Sequence, residues 1–117
     1  MSLTMYGINN CDTIKKAKKY MDTQEVAFEF YDYKKEPVPQ ELLKGWLNEF
    51  GWEVVLNKRG TTFRGLDKAD KTDIDNEKAF DLLVANPSMI KRPIFSNGEK
   101  SLVGFQYSSF NAFVKSL

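Results

Sequence analysis

The amino-acid sequence predicts an α/β protein in which helices pack against a small mixed β-sheet, with the element order β-α-β, helices, β-β-α. Three observations predict this class. A strand–helix–strand pattern opens the chain, amphipathic helical stretches fill its middle, and a hairpin signal at Asn97-Gly98 lies near its end. The length of 117 residues suits one domain, which we expect to span 1–117.

The opening segment predicts two strands joined by a helix. Leu3–Ile8 alternates loosely, and Ala27–Tyr33 places Phe28 and Phe30 on one side, as strands do. Between them, one face at helical spacing carries Ile14, Ala17 and Met21. Three residues are candidate N-caps of that helix: Asn10, Asp12 and Thr13. A unit of this length favours a parallel strand pair with a right-handed crossover.

The middle of the chain predicts two helices separated by a polar loop. A wide apolar stripe ends at Gly51 and consists of Leu42, Leu43, Trp46, Leu47 and Phe50. The polar loop spans Asn57–Gly65, and the second helix spans about Asn76–Asn86, where Pro87 stops it.

The end of the chain predicts a hairpin followed by a helix. Strands at Pro93–Ser96 and Ser101–Phe105 flank Asn97-Gly98. A last helix begins near Ser108 or Ser109, and its apolar face carries Phe110, Phe113, Val114 and Leu117.

Composition excludes several classes of chemistry. The chain has one cysteine and no histidine, so it offers no imidazole base, no Ser-His-Asp triad, no histidine-ligated zinc and no intrachain disulfide. We therefore expect no metal site. With 17 basic and 16 acidic residues the net charge is +1, which argues against nucleic-acid or membrane-surface binding.

The sequence also predicts a location. No apolar run approaches the roughly 18 residues that a membrane helix needs. The stretch Met1–Tyr6 shows neither a basic nor an apolar targeting region, and we expect no signal peptide. A free cysteine is typical of a reducing compartment, so we expect a cytoplasmic protein, and near-neutral charge with small size favours a monomer.

Cys11 is the strongest candidate for chemistry. It lies between a predicted strand end and a predicted helix start, where unpaired N–H groups and the helix dipole favour an anion, and Lys15 adds positive charge one turn later. The alternative is a buried structural cysteine that packs as a small hydrophobe. The polar neighbours of Cys11 indicate a surface turn, and on local sequence the two interpretations stay about equal.

Two further places carry weaker signals. Arg92-Pro93 precedes a predicted strand and is either a cis-proline loop with an anion-binding arginine or an ordinary strand start with Arg92 in a surface ion pair. The loop Asn57–Gly65 carries Lys58, Arg59 and Arg64 and could hold an anion, although most such loops are simply solvated. The lysines after Cys11 indicate a solvated helix face, and the aromatic residues fall at core spacing.

Taken together, three motifs resemble the arsenate reductase (ArsC)/Spx family, and within it the YffB-like branch. They are MYGINNCDTIKKA at Met5–Ala17, NKRGTTFR at Asn57–Arg64 and IKRPI at Ile90–Ile94. The resemblance implies a thioredoxin-like (glutaredoxin-like) fold with a helical insertion at about 38–88. It also implies that Cys11 is the nucleophile, with Pro93 as a cis-proline beside it and Arg92 as a pocket arginine.

The sequence departs from the family pattern in two informative ways. Arsenate-reducing members supply three arginines; here Arg92 matches one, Asn57 stands at the second with Arg59 two residues later, and no arginine lies near Gly104. Arsenate reduction is therefore disfavoured. Spx-type regulators often carry a Cys-x-x-Cys switch, whose second position is Ile14 in this chain.

These features predict a thiol oxidoreductase, specifically a glutathione-dependent monothiol reductase. Cys11 would form a covalent adduct that an external thiol resolves, because the chain has no second cysteine. Glutathione is the expected co-substrate, an oxidised small molecule or protein the expected substrate, and no bound cofactor is needed. Anion contacts would come from Arg92, Arg59 and Arg64, and the amides of Asp12 and Thr13 would stabilise charge on sulfur. The alternatives are a Spx-like binding protein without a redox switch and arsenate reductase proper.

Overall fold

The computed structural model describes residues 3–9 and 11–117. The candidate N-cap Asn10 lies outside these ranges. So do Met1 and Ser2, which belong to the stretch Met1–Tyr6 that shows no targeting region. The described chain forms two compact units. We call residues up to Glu36 together with Arg92–Leu117 the sheet unit, and Pro37–Lys91 the helical unit. The single domain and its insertion at about 38–88 stay predictions.

Ten strands and helices are described, together with a 3-10 turn at Pro87–Met89. In chain order they are β1 (Thr4–Gly7), α1 (Asp12–Thr23), β2 (Glu29–Asp32), α2 (Gln40–Phe50), α3 (Trp52–Val55), α4 (Thr61–Arg64), α5 (Asn76–Ala85), β3 (Ile94–Ser96), β4 (Ser101–Val103) and α6 (Tyr107–Ser116). The predicted order β-α-β, helices, β-β-α is confirmed.

The sheet unit contains one four-stranded mixed sheet in the order β2-β1-β3-β4. β1 and β2 are parallel, with Met5 opposite Phe30, as the strand–helix–strand pattern predicts. β3 runs antiparallel to both β1 and β4. The hairpin between β3 and β4 turns at Gly98, whose φ of 98° lies in the left-handed region that favours glycine. Asn97 Oδ1 closes this turn by accepting from the backbone N–H groups of Glu99 and Lys100.

The core of the sheet unit forms where the apolar side chains of the strands, which recur every second residue, meet the apolar faces of the helices, which recur about every 3.6 residues. Met5 and its cross-strand partner Phe95 are fully buried. The two flanking helices complete the same cluster with Ile14, Ala17, Met21, Phe110 and Phe113. Each such apolar side chain contributes on the order of 1.5–3 kcal/mol when it leaves water. The predicted core positions of these aromatic residues are therefore confirmed, and the cluster anchors the first turn of α1.

The helical unit is organised around α2 and α5. α2 ends at Gly51, whose φ of 86° requires the freedom of glycine, and the predicted stop there is confirmed. Asn76, the first residue of α5, accepts from the N–H of Trp52 at 3.0 Å and donates its amide to the carbonyl of Leu47 at 3.1 Å. This one side chain thus joins the end of α2 to the start of α5.

The polar loop predicted at Asn57–Gly65 is only partly a loop. Its second half is α4, closed by the N–H of Arg64 to the carbonyl of Gly60 at 3.2 Å and the N–H of Gly65 to the carbonyl of Thr61 at 3.0 Å. A single turn of helix carries no apolar stripe long enough to be recognised, which is why periodicity misses it. Among the described residues, no helix is long and apolar enough to cross a membrane.

Candidate active site

Cys11 occupies the N-cap of α1. Its backbone is extended (φ −148°, ψ 129°), and its carbonyl accepts the first helical hydrogen bond, from the N–H of Lys15 at 3.1 Å. The expected caps Asp12 and Thr13 are wrong, because these residues already have helical backbone and form the first turn. No side chain caps the helix. Cys11 is therefore the N-cap residue, but its thiol makes no capping hydrogen bond.

The thiol of Cys11 lies between the core and the solvent. Cys11 is half-buried, and it packs against the apolar cluster of the sheet unit. The N–H groups of the first turn have no partner inside their own helix, so this end of α1 carries a partial positive charge. The exposed side chains of Asp12 and Thr13 leave that end open to solvent. A half-exposed thiol at this point can react with a molecule from solution.

The segment that leads into Cys11 is held by two hydrogen bonds at Asn9. The carbonyl of Asn9 accepts from the N–H of Cys11 at 2.9 Å. The side-chain oxygen Oδ1 of Asn9 accepts from Nζ of Lys18 at 2.6 Å. The solvated helix face expected of the lysines after Cys11 is confirmed for Lys15, Lys16 and Lys19, which are exposed. Lys18 departs from it, since it is half-buried and its ammonium lies 4.0 Å from the centroid of the Phe30 ring. Sequence reasoning missed both residues because nothing in the local pattern pairs positions nine apart.

Arg92 and Pro93 stand at the start of β3 in the same unit as Cys11. The peptide bond between them is cis, as the resemblance implied. The carbonyl of Pro93 accepts from the N–H of Gly104 at 2.8 Å. Cγ of Arg92 lies 3.9 Å from the position that a Cβ would take on Gly7, at the end of β1. The side chain of Arg92 therefore passes the strand end from which the chain continues to Cys11.

The guanidinium group of Arg92 has no carboxylate partner in the described part of the chain. The ion pair found there joins Lys44 to Glu41 in α2, at 3.8 Å. The interpretation of Arg92 as one half of a surface ion pair is therefore not supported. Arg92 is half-buried, and the stem of its side chain lies close to the end of β1.

Arg59 and Arg64 belong to the helical unit, and both are exposed. The N–H of Arg59 donates to Oδ1 of Asn57 at 3.0 Å, which turns the backbone just before α4. Arg64 is the last residue of α4. Around Arg59 lies a groove of about 360 Å³ that also presents Lys58 and Lys91. Cys11, Arg92 and Pro93 thus belong to the sheet unit, whereas the two loop arginines belong to the helical unit.

Three tyrosines cluster near the carboxyl ends of β1 and β2. The ring of Tyr6 lies 5.1 Å from that of Tyr31 and 6.4 Å from that of Tyr33, between centroids. The N–H of Tyr33 donates to the carbonyl of Gly7 at 2.9 Å, which extends the β1–β2 pairing. Burial, followed by the neighbouring Tyr6 and Tyr31, raises the pKa of Tyr33. Its hydroxyl is buried and has no hydrogen-bond partner among the described residues.

The sequence of the chain matches the model of the ArsC family over residues 6–113. The chain belongs to the ArsC family. A solved structure of a protein named YffB is 48% identical, with a TM-score of 0.91 over 95% of this chain and 97% of that one. An arsenate reductase (ArsC) related protein from Brucella melitensis is 42% identical, with a TM-score of 0.77 over 98% of this chain and 96% of that one.

Two curated relatives extend the comparison of this ArsC-family chain. An uncharacterised protein from Haemophilus influenzae is 39% identical over 110 residues, which cover 94% of this chain and 96% of that protein. The global transcriptional regulator Spx of Lactiplantibacillus plantarum is 27% identical over 94% of this chain and 84% of its own length. The family resemblance, its YffB-like branch and the thioredoxin-like fold are confirmed. The fold and family are consistent with a thiol oxidoreductase.

Proposed function

We propose that this ArsC-family protein is a glutathione-dependent monothiol reductase in which Cys11 is the nucleophile. The observation that carries the proposal is the position of Cys11, a partly exposed residue at the N-cap of α1. The sequence supplies no second thiol and no histidine, so activation depends on the helix end and on nearby cations.

The reaction consists of three thiol–disulfide exchanges, of which the first two take place at Cys11. The thiolate of Cys11 attacks one sulfur of an oxidised substrate, the substrate disulfide breaks, and the departing thiolate takes a proton from solvent. A glutathione thiolate then attacks the substrate sulfur that is bonded to Cys11. This frees the Cys11 thiolate and leaves a mixed disulfide between glutathione and that part of the substrate. Attack by a second glutathione on this mixed disulfide completes the balance of two glutathiones oxidised for each substrate disulfide reduced.

Arg92 is proposed to bind a carboxylate of glutathione or an anionic group of the substrate. Two observations support this role: Arg92 has no carboxylate partner in the described chain, and the stem of its side chain lies beside Gly7. A guanidinium group can hold a carboxylate through two parallel hydrogen bonds. Pro93 is proposed to line the same site, and the first-turn amides of Asp12 and Thr13 to stabilise negative charge on the sulfur of Cys11.

Arg59 and Arg64 are proposed as additional anion-binding residues on the strength of the family motif Asn57–Arg64. Both are exposed, and neither has an ion pair among the described residues. Alanine variants at the two positions test them separately: a role in binding predicts weaker saturation by glutathione without a change in the reaction of Cys11 with a neutral reagent.

The second candidate is a Spx-like binding protein, which the Spx relative favours. A redox-switched version meets an obstacle at Ile14, which is fully buried in the core where the switch would need a second, accessible cysteine. Such a protein would need no reactive thiol. The reactivity of Cys11 therefore separates the two candidates.

The deciding experiment compares alkylation of Cys11 by iodoacetamide in the folded and the urea-unfolded chain near neutral pH. The reductase proposal predicts faster reaction in the folded chain despite partial burial of the thiol. Incubation with oxidised glutathione, followed by mass measurement, should give one glutathione adduct that reduced glutathione removes. Slower alkylation in the folded chain together with no adduct would reject the reductase and favour the binding protein.

A further inference from the structure

Lys18 reaches back along the chain to the segment that carries Cys11. Its ammonium Nζ donates to Oδ1 of Asn9 at 2.6 Å, while the carbonyl of the same asparagine accepts from the N–H of Cys11 at 2.9 Å. One residue thus links the second turn of α1 to the backbone of the cysteine through two consecutive hydrogen bonds.

The environment of Lys18 restricts its side chain. Its ammonium lies 4.0 Å from the centroid of the Phe30 ring, which packs against the core of the sheet unit. A cation over an aromatic face is attracted by the negative potential of the ring. Lys18 is half-buried, whereas Lys15 and Lys19 are exposed. The ammonium at the tip of the side chain therefore has two partners, the face of the Phe30 ring and Oδ1 of Asn9.

We propose that Lys18 is a positioning residue for Cys11 and that it acts through Asn9. The inference rests on the proposed function, in which Cys11 is the nucleophile. The Lys18–Asn9 hydrogen bond keeps the segment before α1 in the conformation that places the thiol at the helix N-terminus. When that hydrogen bond is lost, the segment gains freedom, the sulfur spends less time beside the first-turn amides, and it reacts more slowly with an alkylating reagent.

Two other roles for Lys18 make different predictions. A purely electrostatic role would place the ammonium charge near the sulfur, and it would not depend on Asn9. A purely structural role would change the stability of the fold and leave the reactivity of the thiol unchanged once the chain is folded.

The test measures iodoacetamide alkylation of Cys11 near neutral pH in Lys18→Met, Asn9→Ala and the double variant. Methionine keeps an unbranched stem and removes the ammonium, with both its hydrogen bond to Asn9 and its contact with the Phe30 ring, whereas Asn9→Ala removes the hydrogen bond alone. Lys18→Arg restores a cationic donor, and Lys19→Met is the control for an exposed lysine on the same helix. Urea unfolding of each variant reports stability separately.

The positioning role predicts alkylation near neutral pH that is about three- to tenfold slower in both single variants, the range expected for one lost charged hydrogen bond. The double variant should be no slower than either single one, because both remove the same link. Lys18→Arg should react nearly as the parent does, and Lys19→Met should match the parent.

A slow Lys18→Met with a normal Asn9→Ala would overturn the proposal in favour of through-space charge. Parent-like rates in both variants would overturn it as well, as would losses of stability without a change in rate. If Lys18→Met does not fold, the alkylation rates of Asn9→Ala and Lys18→Arg still test the proposed role of Lys18. The alkylation rates do not depend on glutathione. If the parent protein forms no glutathione adduct, the proposed function is rejected, but the alkylation rates of the variants still test the role of Lys18.

Discussion

Gly7 and Ile14 approach each other so closely that a Cβ on Gly7 would lie 2.6 Å from Cδ1 of Ile14. Gly7 is the last residue of β1, and Ile14 is a fully buried residue in the first turn of α1. The two ends of the segment that carries Cys11 are therefore packed directly on each other. Glycine at position 7 allows α1 to start this close to the sheet.

Gly7→Ala should lower the free energy of unfolding by about 1–3 kcal/mol, because the fully buried Ile14 has little space into which to move. Urea unfolding measures the change. Ile14→Val, which removes the clashing methyl group, should make the double variant less destabilised than the sum of the two single changes.

The control for that experiment is Gly45→Ala in the middle of α2. A Cβ there meets nothing within 4 Å, and Gly45 is exposed, so alanine should stabilise the helix by about 0.5–1 kcal/mol. A Gly7→Ala variant as stable as the parent would show that the approach of β1 and α1 is not tight.

Arg92→Ala should slow the reaction of Cys11 with anionic reagents and not with neutral ones. We expect about a tenfold loss with oxidised glutathione and with iodoacetate, and an unchanged rate with iodoacetamide, because the lost interaction is a charge-assisted hydrogen bond. Arg92→Lys should fall between the parent and the alanine variant, since lysine keeps the charge without the planar fork. Equal losses with iodoacetate and iodoacetamide would mean that Arg92 shapes the site and does not bind the anion.

Tyr33→Phe should raise the free energy of unfolding near neutral pH by about 1 kcal/mol, because it removes a hydroxyl that is buried without a hydrogen-bond partner among the described residues. Urea unfolding measures the difference. Tyr107→Phe removes the hydroxyl of a ring that is 46% exposed and serves as the control. A destabilised Tyr33→Phe would show that the hydroxyl makes a favourable interaction.

The same tyrosine predicts a pH dependence of stability. The pKa of Tyr33 is raised by burial, so the folded chain keeps its phenolic proton at a pH where the unfolded chain has lost it. Its contribution to stability is complete below the unfolded pKa of about 10 and is lost as the pH rises from there towards the folded pKa. Stability should fall by up to about 1.4 kcal/mol per pH unit from this one group, and less steeply in Tyr33→Phe. If the free energy of unfolding falls equally steeply with pH in the parent and in Tyr33→Phe, Tyr33 is not the group responsible for the pH dependence.

Asp75 caps α5, and its removal should destabilise the helical unit. Oδ1 of Asp75 accepts from the N–H of Lys78 at 2.8 Å. Asp75→Ala should lower the free energy of unfolding by about 0.5–2 kcal/mol, while Asp75→Asn should retain most of the stability because asparagine is also a good cap. If the alanine variant unfolds as the parent does, the cap contributes nothing to the stability of α5.

Local patterns in the sequence determined the order of the elements and the position of Cys11. Period-two alternation predicted β1 and β2, Asn97-Gly98 predicted the turn between β3 and β4, and Gly51 predicted the end of α2. These features depend on residues close together in the chain, where backbone preference and side-chain spacing decide the structure. A strand followed at once by a helix also put Cys11 at a helix start without any tertiary information.

Tertiary packing alone decided what surrounds that cysteine. The contact of Gly7 with Ile14, the link from Lys18 to Asn9, and the passage of Arg92 beside β1 join residues whose spacing carries no sequence signal. The same holds for the buried hydroxyl of Tyr33, which the strand pattern treats as an ordinary aromatic residue. Such contacts follow from how the strand and helix surfaces meet in the core, and that arrangement is set by the whole set of buried side chains together.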